Sequence, residues 1–209
     1  KEPKVVTDYR PISLCNVVYK MASKAIANRL KKILPSIISD TQSAFMHERL
    51  ITDNVIVAFE TMHHISRKKG GKTGEMALKL DMSKAYDRVE WTCLDKIMEK
   101  LGFVEHLRRL IMQCVSTVSY AININGHPRG HIIPTRGIRQ GDPLSPYLFL
   151  LCTEGLSALI KSFVDSGFWE GIAVCRGGPK LSHLFFIDDN LIFCNATLAN
   201  CESLQRILE

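Results

Sequence analysis

The sequence predicts an α+β fold, a small antiparallel sheet backed by helices. Three observations predict it. EMALKLDM (75–82) alternates apolar and polar positions, and LSHLFFIDDNLIFC (181–194) reads as two short strands joined by a tight turn at Asp188-Asp189. Longer segments repeat apolar residues at helical spacing. Helices and strands follow one another without the βαβα regularity of a parallel sheet.

The first predicted helix is NVVYKMASKAIANRLKKIL, 16–34, with Val17, Val18, Met21, Ala25, Ile26, Leu30, Ile33 and Leu34 on its apolar face. Pro35 is expected to end it. A second helix, about 53–66, starts at Thr52 or Asp53 and turns Val55, Ile56, Phe59 and Met62 inward. RKKGGKTG, 67–74, is a basic, glycine-rich loop and the expected boundary between two lobes. In the strand that follows, Met76, Leu78 and Leu80 share one face, and Ala77, Lys79 and Asp81 the other. Asp87 and Glu90 have capping-box spacing for a helix over 88–101, which Gly102 stops. A further helix covers about 104–116. SYAININGHPRGHIIP is a hairpin around Asn125-Gly126, and a long apolar helix covers about 143–163.

Composition narrows the class. The chain has 209 residues, 46% hydrophobic and 23% charged, enough for one sizeable core or a core plus a small lobe. Its seven cysteines form no CxxC pair and most sit in apolar surroundings, which suggests reduced, buried thiols in an intracellular, non-secreted protein. No apolar run reaches the length expected to span a membrane, and no signal peptide is visible. The chain starts at Lys1 without Met and stops inside LANCESLQRILE, so it reads as part of a longer protein. Residues 1–80 carry a net charge of +7 and residues 81–209 carry −1. A basic lobe beside a nearly neutral one suits polyanion binding next to a site that uses carboxylates; a solvated basic surface gives the same count.

Three acids stand out: Asp81, Asp188 and Asp189. Each sits at a strand end or turn, where a side chain is held rigidly. If the strand of Asp81 lies beside the 183–194 hairpin, three carboxylates converge and repel unless cations join them. Mg²⁺ takes hard oxygen ligands and links carboxylates to phosphates. Two such ions roughly 4 Å apart support phosphoryl transfer. Alone, Asp188-Asp189 is equally an ordinary hairpin turn.

Five blocks settle the context. DYRPISLCNVVYK (8–20), QSAFMHERLITDN (42–54), LDMSKAYDRVEW (80–91), RQGDPLSPYLF (139–149) and FIDD (186–189) together resemble a reverse transcriptase, most like those of plant LINE-type (non-LTR) retrotransposons. The resemblance covers essentially the whole chain. It implies a right-hand polymerase: fingers over residues 1–74, palm over 75–209, and no thumb within the chain. It implies an RNA-directed DNA polymerase that uses two Mg²⁺ ions, with Mn²⁺ as a substitute, an RNA template, a DNA primer and dNTPs. No membrane partner is expected, and a nuclear location follows from target-primed copying in the family. By resemblance, Asp81 and Asp188 hold the metals, Asp189 stands beside them, and the carbonyl of Met82 adds a ligand. Tyr86 resembles the steric gate against a ribose 2′-OH. Gln140 and Gly141 resemble the family's QG at the nucleotide or template. The amides of Lys84 and Ala85, and the guanidinium of Arg49, would hold the triphosphate. Asp87 is expected to be structural, as a helix cap.

The sequence departs from the family where Ile187 stands in place of Ala, and at His47-Glu48, where Gly often precedes the Arg; Glu48 is a candidate partner for Arg49. A non-catalytic remnant that keeps the fold and at most binds nucleic acid is therefore the alternative. A group II intron-type maturase is a weaker one.

Overall fold

The computed structural model describes residues 4–5, 9–46, 49–68, 70, 73–82, 84–187 and 189–208. The chain divides into two compact units, each made of two separate segments: 1–33 with 84–149, and 34–83 with 150–209. These units do not follow the 74/75 boundary; the basic 67–74 loop lies within the second unit.

Helix α1 spans Val17–Ile37 and continues through Pro35, beyond its expected end. Pro35 lacks one N–H, but Ile38 N–H still donates to the Leu34 carbonyl at 2.9 Å, and both side chains are buried. Its buried face is Ser23, Ile26, Ala27, Leu30 and Leu34; Val17, Val18 and Met21 are exposed, against expectation.

In the first unit, a 3-10 turn at Ala85–Arg88 precedes α3 (Trp91–Lys100), which packs on α4 (Glu105–Ser116) through Leu94, Met98, Ile111 and Val115. Gly102, at φ +82°, ends α3, as expected; its N–H donates to the Glu99 carbonyl. The expected cap at Asp87 does not form. The helix starts later, at Trp91, and its N-cap Glu90 makes no side-chain cap bond. The reason is tertiary: Gly137 N–H donates to Val89 O, Ile138 N–H donates to Tyr86 O, and Trp91 Nε1 donates to Gly137 O. Backbone pairing with 137–138 holds 89–90 extended. A Cβ on Gly137 would lie 3.0 Å from the Asp87 carbonyl oxygen, so the approach needs glycine. Strands β2 (Tyr120–Ile124) and β3 (His127–Ile132) form the expected hairpin, with positive φ at both Asn125 and Gly126.

In the second unit, β1 (Glu75–Asp81), β7 (Asp189–Asn195) and β6 (His183–Phe186) form an antiparallel sheet in the order β1-β7-β6. One face packs Ile160, Trp169, Phe185, Ile192, Cys194 and Ile207, from the sheet, α5 (Ser145–Asp165), α6 (Leu198–Leu208) and the loop after α5. The other face packs Leu184 and Phe193 on Ile172 of the short pair β4 (Ile172–Ala173) and β5 (Lys180–Leu181), and on Ala58 and Ile65 of α2 (Ile51–Arg67). The α+β class holds.

Helix α2 turns its small stripe to the sheet: Thr61 is buried, and Asn54, Ala58 and Ile65 are half-buried. Val55, Ile56, Phe59 and Met62, expected inside, are 49–67% exposed. Small residues allow the close approach that the larger stripe would prevent. Its N-cap is Leu50, whose N–H donates to the Asp53 carboxylate, not Thr52 or Asp53. α5 is, by length and composition, long and apolar enough to cross a membrane; Leu150, Leu151 and Ile160 are buried, as in a core helix. The seven cysteines are free, but only Cys194 is buried, and Cys93, Cys175 and Cys201 are exposed.

Candidate functional site

Asp81 ends β1 and Asp189 opens β7, and the two are directly paired across the antiparallel ladder. Opposite residues share a face with Cβ atoms about 4.5–5.5 Å apart, and like charges there are destabilising. Both residues are exposed. Lys79, two positions before Asp81, places Nζ 2.8 Å from Asp189 Oδ1, a solvent-screened pair. A pair of facing carboxylates with one exposed lysine suits a hard cation.

The hairpin meets at the Phe186–Asp189 pair, so Asp189 belongs to β7 and not to the turn, a correction to the expected Asp188-Asp189 turn. Asp188 lies outside the described residues, as do His47 and Glu48. Ile187 has φ +56°, a left-handed conformation that is unfavourable for a β-branched residue. Met82 is half-buried just past β1.

Arg49, expected to hold a triphosphate, is put to another use within the second unit. Its NH1 donates to Ser39 O at 2.6 Å and Gln42 O at 2.7 Å; NH2 donates to Ile38 O and Asp40 Oδ1, each at 3.1 Å. Four of the five N–H donors thus satisfy the loop that ends α1. This occupation weighs against Arg49 as a phosphate ligand.

The remaining candidates lie in the first unit. Lys84 is left-handed, at φ 55° and ψ 43°, and Ala85 begins the right-handed 3-10 turn. That alternation turns successive backbone N–H groups to one side, an anion-binding concavity. Tyr86 stacks on Phe149, ring centroids 5.1 Å apart and 14° from parallel. Gln140 accepts the Ser13 N–H through its carbonyl at 2.8 Å. Gly141 sits at φ +94°, and a Cβ there would lie 3.3 Å from Ser13 O, so both its conformation and its neighbour require glycine.

Sequence reading missed the polar groups around these positions. Tyr19 Oη donates to Asp142 Oδ2 at 2.5 Å, and the Arg139 guanidinium lies 3.9 Å from the Tyr19 ring centre while NH2 donates to Cys114 O. Burial, then the bond to Asp142, raises the Tyr19 pKa. In the second unit, His183 Nε2 lies 2.9 Å from Thr41 Oγ1 and 2.8 Å from Ser157 Oγ, and Nδ1 lies 2.9 Å from Ser182 Oγ. Burial pushes its pKa down to about 4. The only sequence signal was the presence of Tyr19, Arg139 and Asp142 inside the quoted blocks.

The family model described as "Reverse transcriptase (RNA-dependent DNA polymerase)" matches residues 1–209. An uncharacterized mitochondrial protein of Arabidopsis thaliana is 54% identical over 66 residues, which cover 32% of this chain and 54% of that protein. The retrovirus-related Pol polyprotein from type-2 retrotransposable element R2DM of Drosophila melanogaster is 26% identical over 213 residues, covering 99% of this chain and 19% of that protein. The chain thus spans well under two thirds of these relatives. Among solved structures, apo telomerase from Candida tropicalis superposes with a TM-score of 0.59 at 9% identity, over 90% of this chain and 36% of that one. This last likeness concerns the fold.

Proposed function

The chain belongs to the reverse transcriptase (RNA-dependent DNA polymerase) family, and from that premise we propose that it is the fingers (1–74) and palm (75–209) of a plant LINE-type retrotransposon polymerase acting in the nucleus. It adds nucleotides from dNTPs to a primer 3′-OH on an RNA template. The observation that supports this most is the facing pair Asp81–Asp189, two of the three acids that the resemblance assigns to the metal site.

The donor set fits divalent cations: carboxylate oxygens of Asp81, Asp188 and Asp189, with the Met82 carbonyl from the same strand end. When bound, Mg²⁺ lowers the pKa of a coordinated hydroxyl and neutralises charge on the phosphates. The protein's own contribution is positioning. Sheet pairing holds Asp81 and Asp189 in register, so their orientation is set before substrate arrives. The backbone N–H groups of Lys84 and Ala85 donate hydrogen bonds to triphosphate oxygens. The Tyr86 ring, fixed against Phe149, excludes a ribose 2′-OH and selects deoxynucleotides. Gln140 and Gly141 bring backbone and amide close to the nucleotide or template. Template contacts run to the phosphate backbone, because every sequence must be accepted.

The test is extension of oligo(dT) on poly(rA) with Mg²⁺. Wild-type chain extends the primer, EDTA stops it and Mg²⁺ restores it. Asp188→Asn lowers the rate by more than roughly 100-fold, the upper range for losing a mere supporting group of a metal ligand. Extension that survives Asp188→Asn contradicts the proposal. The left-handed Ile187 favours the second reading, a remnant that keeps the fold without catalysis. Under that reading the wild type is inert, and Ile187→Ala restores extension.

A further inference from the structure

We propose that Asn54 is a positioning residue that fixes the hairpin of the catalytic acids from its outer edge. The inference rests on the reading of Asp81, Asp188 and Asp189 as the catalytic acids.

Strand β6 has β7 along one edge. Its other edge would be open. Among the described residues a single parallel bridge closes it, Gln42 to Phe185, in which Phe185 N–H donates to Thr41 O at 2.8 Å and Ser43 N–H reaches Phe185 O at 3.4 Å. A single bridge is weak restraint for a strand that ends two residues before Asp188. Asn54, on the first turn of α2, supplies what the ladder lacks. Its Nδ2 donates to Phe185 O at 3.0 Å and to Thr41 O at 3.3 Å. One amide therefore ties the helix, the 39–43 loop and β6 together. Phe185 is fully buried, and Gln42 is 1% exposed with its amide on Thr153 Oγ1, so the junction is rigid around the bond. Catalytic groups must be held to within about 0.5 Å, which is why restraint this near the turn matters.

Three variants of the full chain separate the roles. Asn54→Asp keeps the shape but points an acceptor at two carbonyls, Asn54→Ala removes the donor, and Thr61→Ala weakens α2 elsewhere. Amide exchange at Phe186, Ile187 and Asp189 is expected to rise about tenfold in both Asn54 variants, as loss of a half-buried hydrogen bond allows, and less than twofold in Thr61→Ala. In primer extension, kcat falls about tenfold while the KM for dNTP stays within twofold, the pattern of a group acting on the chemical step. Exchange at the turn within twofold of wild type in the Asn54 variants, or an equal rise in Thr61→Ala, overturns the proposal. The exchange readout does not need catalysis. An inert wild type therefore counts against the polymerase reading and leaves this test intact.

Discussion

At the scale of single residues, the most informative is Ile187. A left-handed backbone is open to glycine and asparagine but unfavourable by about 1–2 kcal/mol for other residues, more so when Cβ is branched. Ile187 occupies it at φ +56°. Ile187→Asn should therefore raise stability by about 1 kcal/mol, read as a higher midpoint in urea unfolding. A lower midpoint would mean that the isoleucine side chain gains more from its contacts than its backbone loses. Tyr19 offers the opposite case. Asp142 is 5% exposed and takes its hydroxyl donor from Tyr19, so Tyr19→Phe should destabilise by about 1–3 kcal/mol, measured the same way. Asp81 and Asp188 were conspicuous in the sequence because acids beside apolar strands demand a partner. Asn54, Tyr19 and Arg139 were not, since their partners are mostly backbone or lie more than a hundred positions away.

At the scale of elements, helix and strand positions were largely legible, and faces were less so. The Asn125-Gly126 hairpin and the Gly102 stop follow from local conformational preference, which acts within a few residues. Helix α2 has two candidate stripes, and periodicity alone favoured the larger apolar side chains. Close packing against the sheet selected the small ones, Ala58 and Thr61. The cap at Asp87 failed for a similar reason, since long-range pairing with Gly137 and Ile138 competes with it. Strand β6 carries a pH-dependent element. His183 has a folded pKa of about 4 against 6.5 for a free imidazole, because it is buried. Unfolding therefore takes up a proton as pH falls below about 6.5, and stability is lost down to about pH 4, by on the order of 3 kcal/mol in full. Glu154, whose pKa burial raises, acts in the opposite sense. The variant His183→Gln isolates the effect: its unfolding midpoint should vary less than that of the wild type between pH 7 and pH 4.5. An unchanged profile would remove His183 as the cause.

At the scale of the whole molecule, two compact units alternate along the chain, and each draws on both of the segments the sequence separates as fingers and palm. The acids Asp81 and Asp189 lie in one unit, and Tyr86, Gln140 and Gly141 in the other. The compact units are a division by packing. Ordered blocks revealed the family because five short motifs must serve one chemistry. Packing left no such linear trace. Tyr86→Ala should leave extension with dNTPs measurable and raise incorporation of ribonucleotides by about 10-fold or more, the size expected when a steric clash worth 1–3 kcal/mol is removed. The most direct measurement is primer extension on poly(rA) by wild type beside Asp81→Asn, at equal folded concentration and saturating Mg²⁺. Extension by the wild type and none by Asp81→Asn is the expected result. Equal extension by both would contradict the assignment of Asp81 as a catalytic acid.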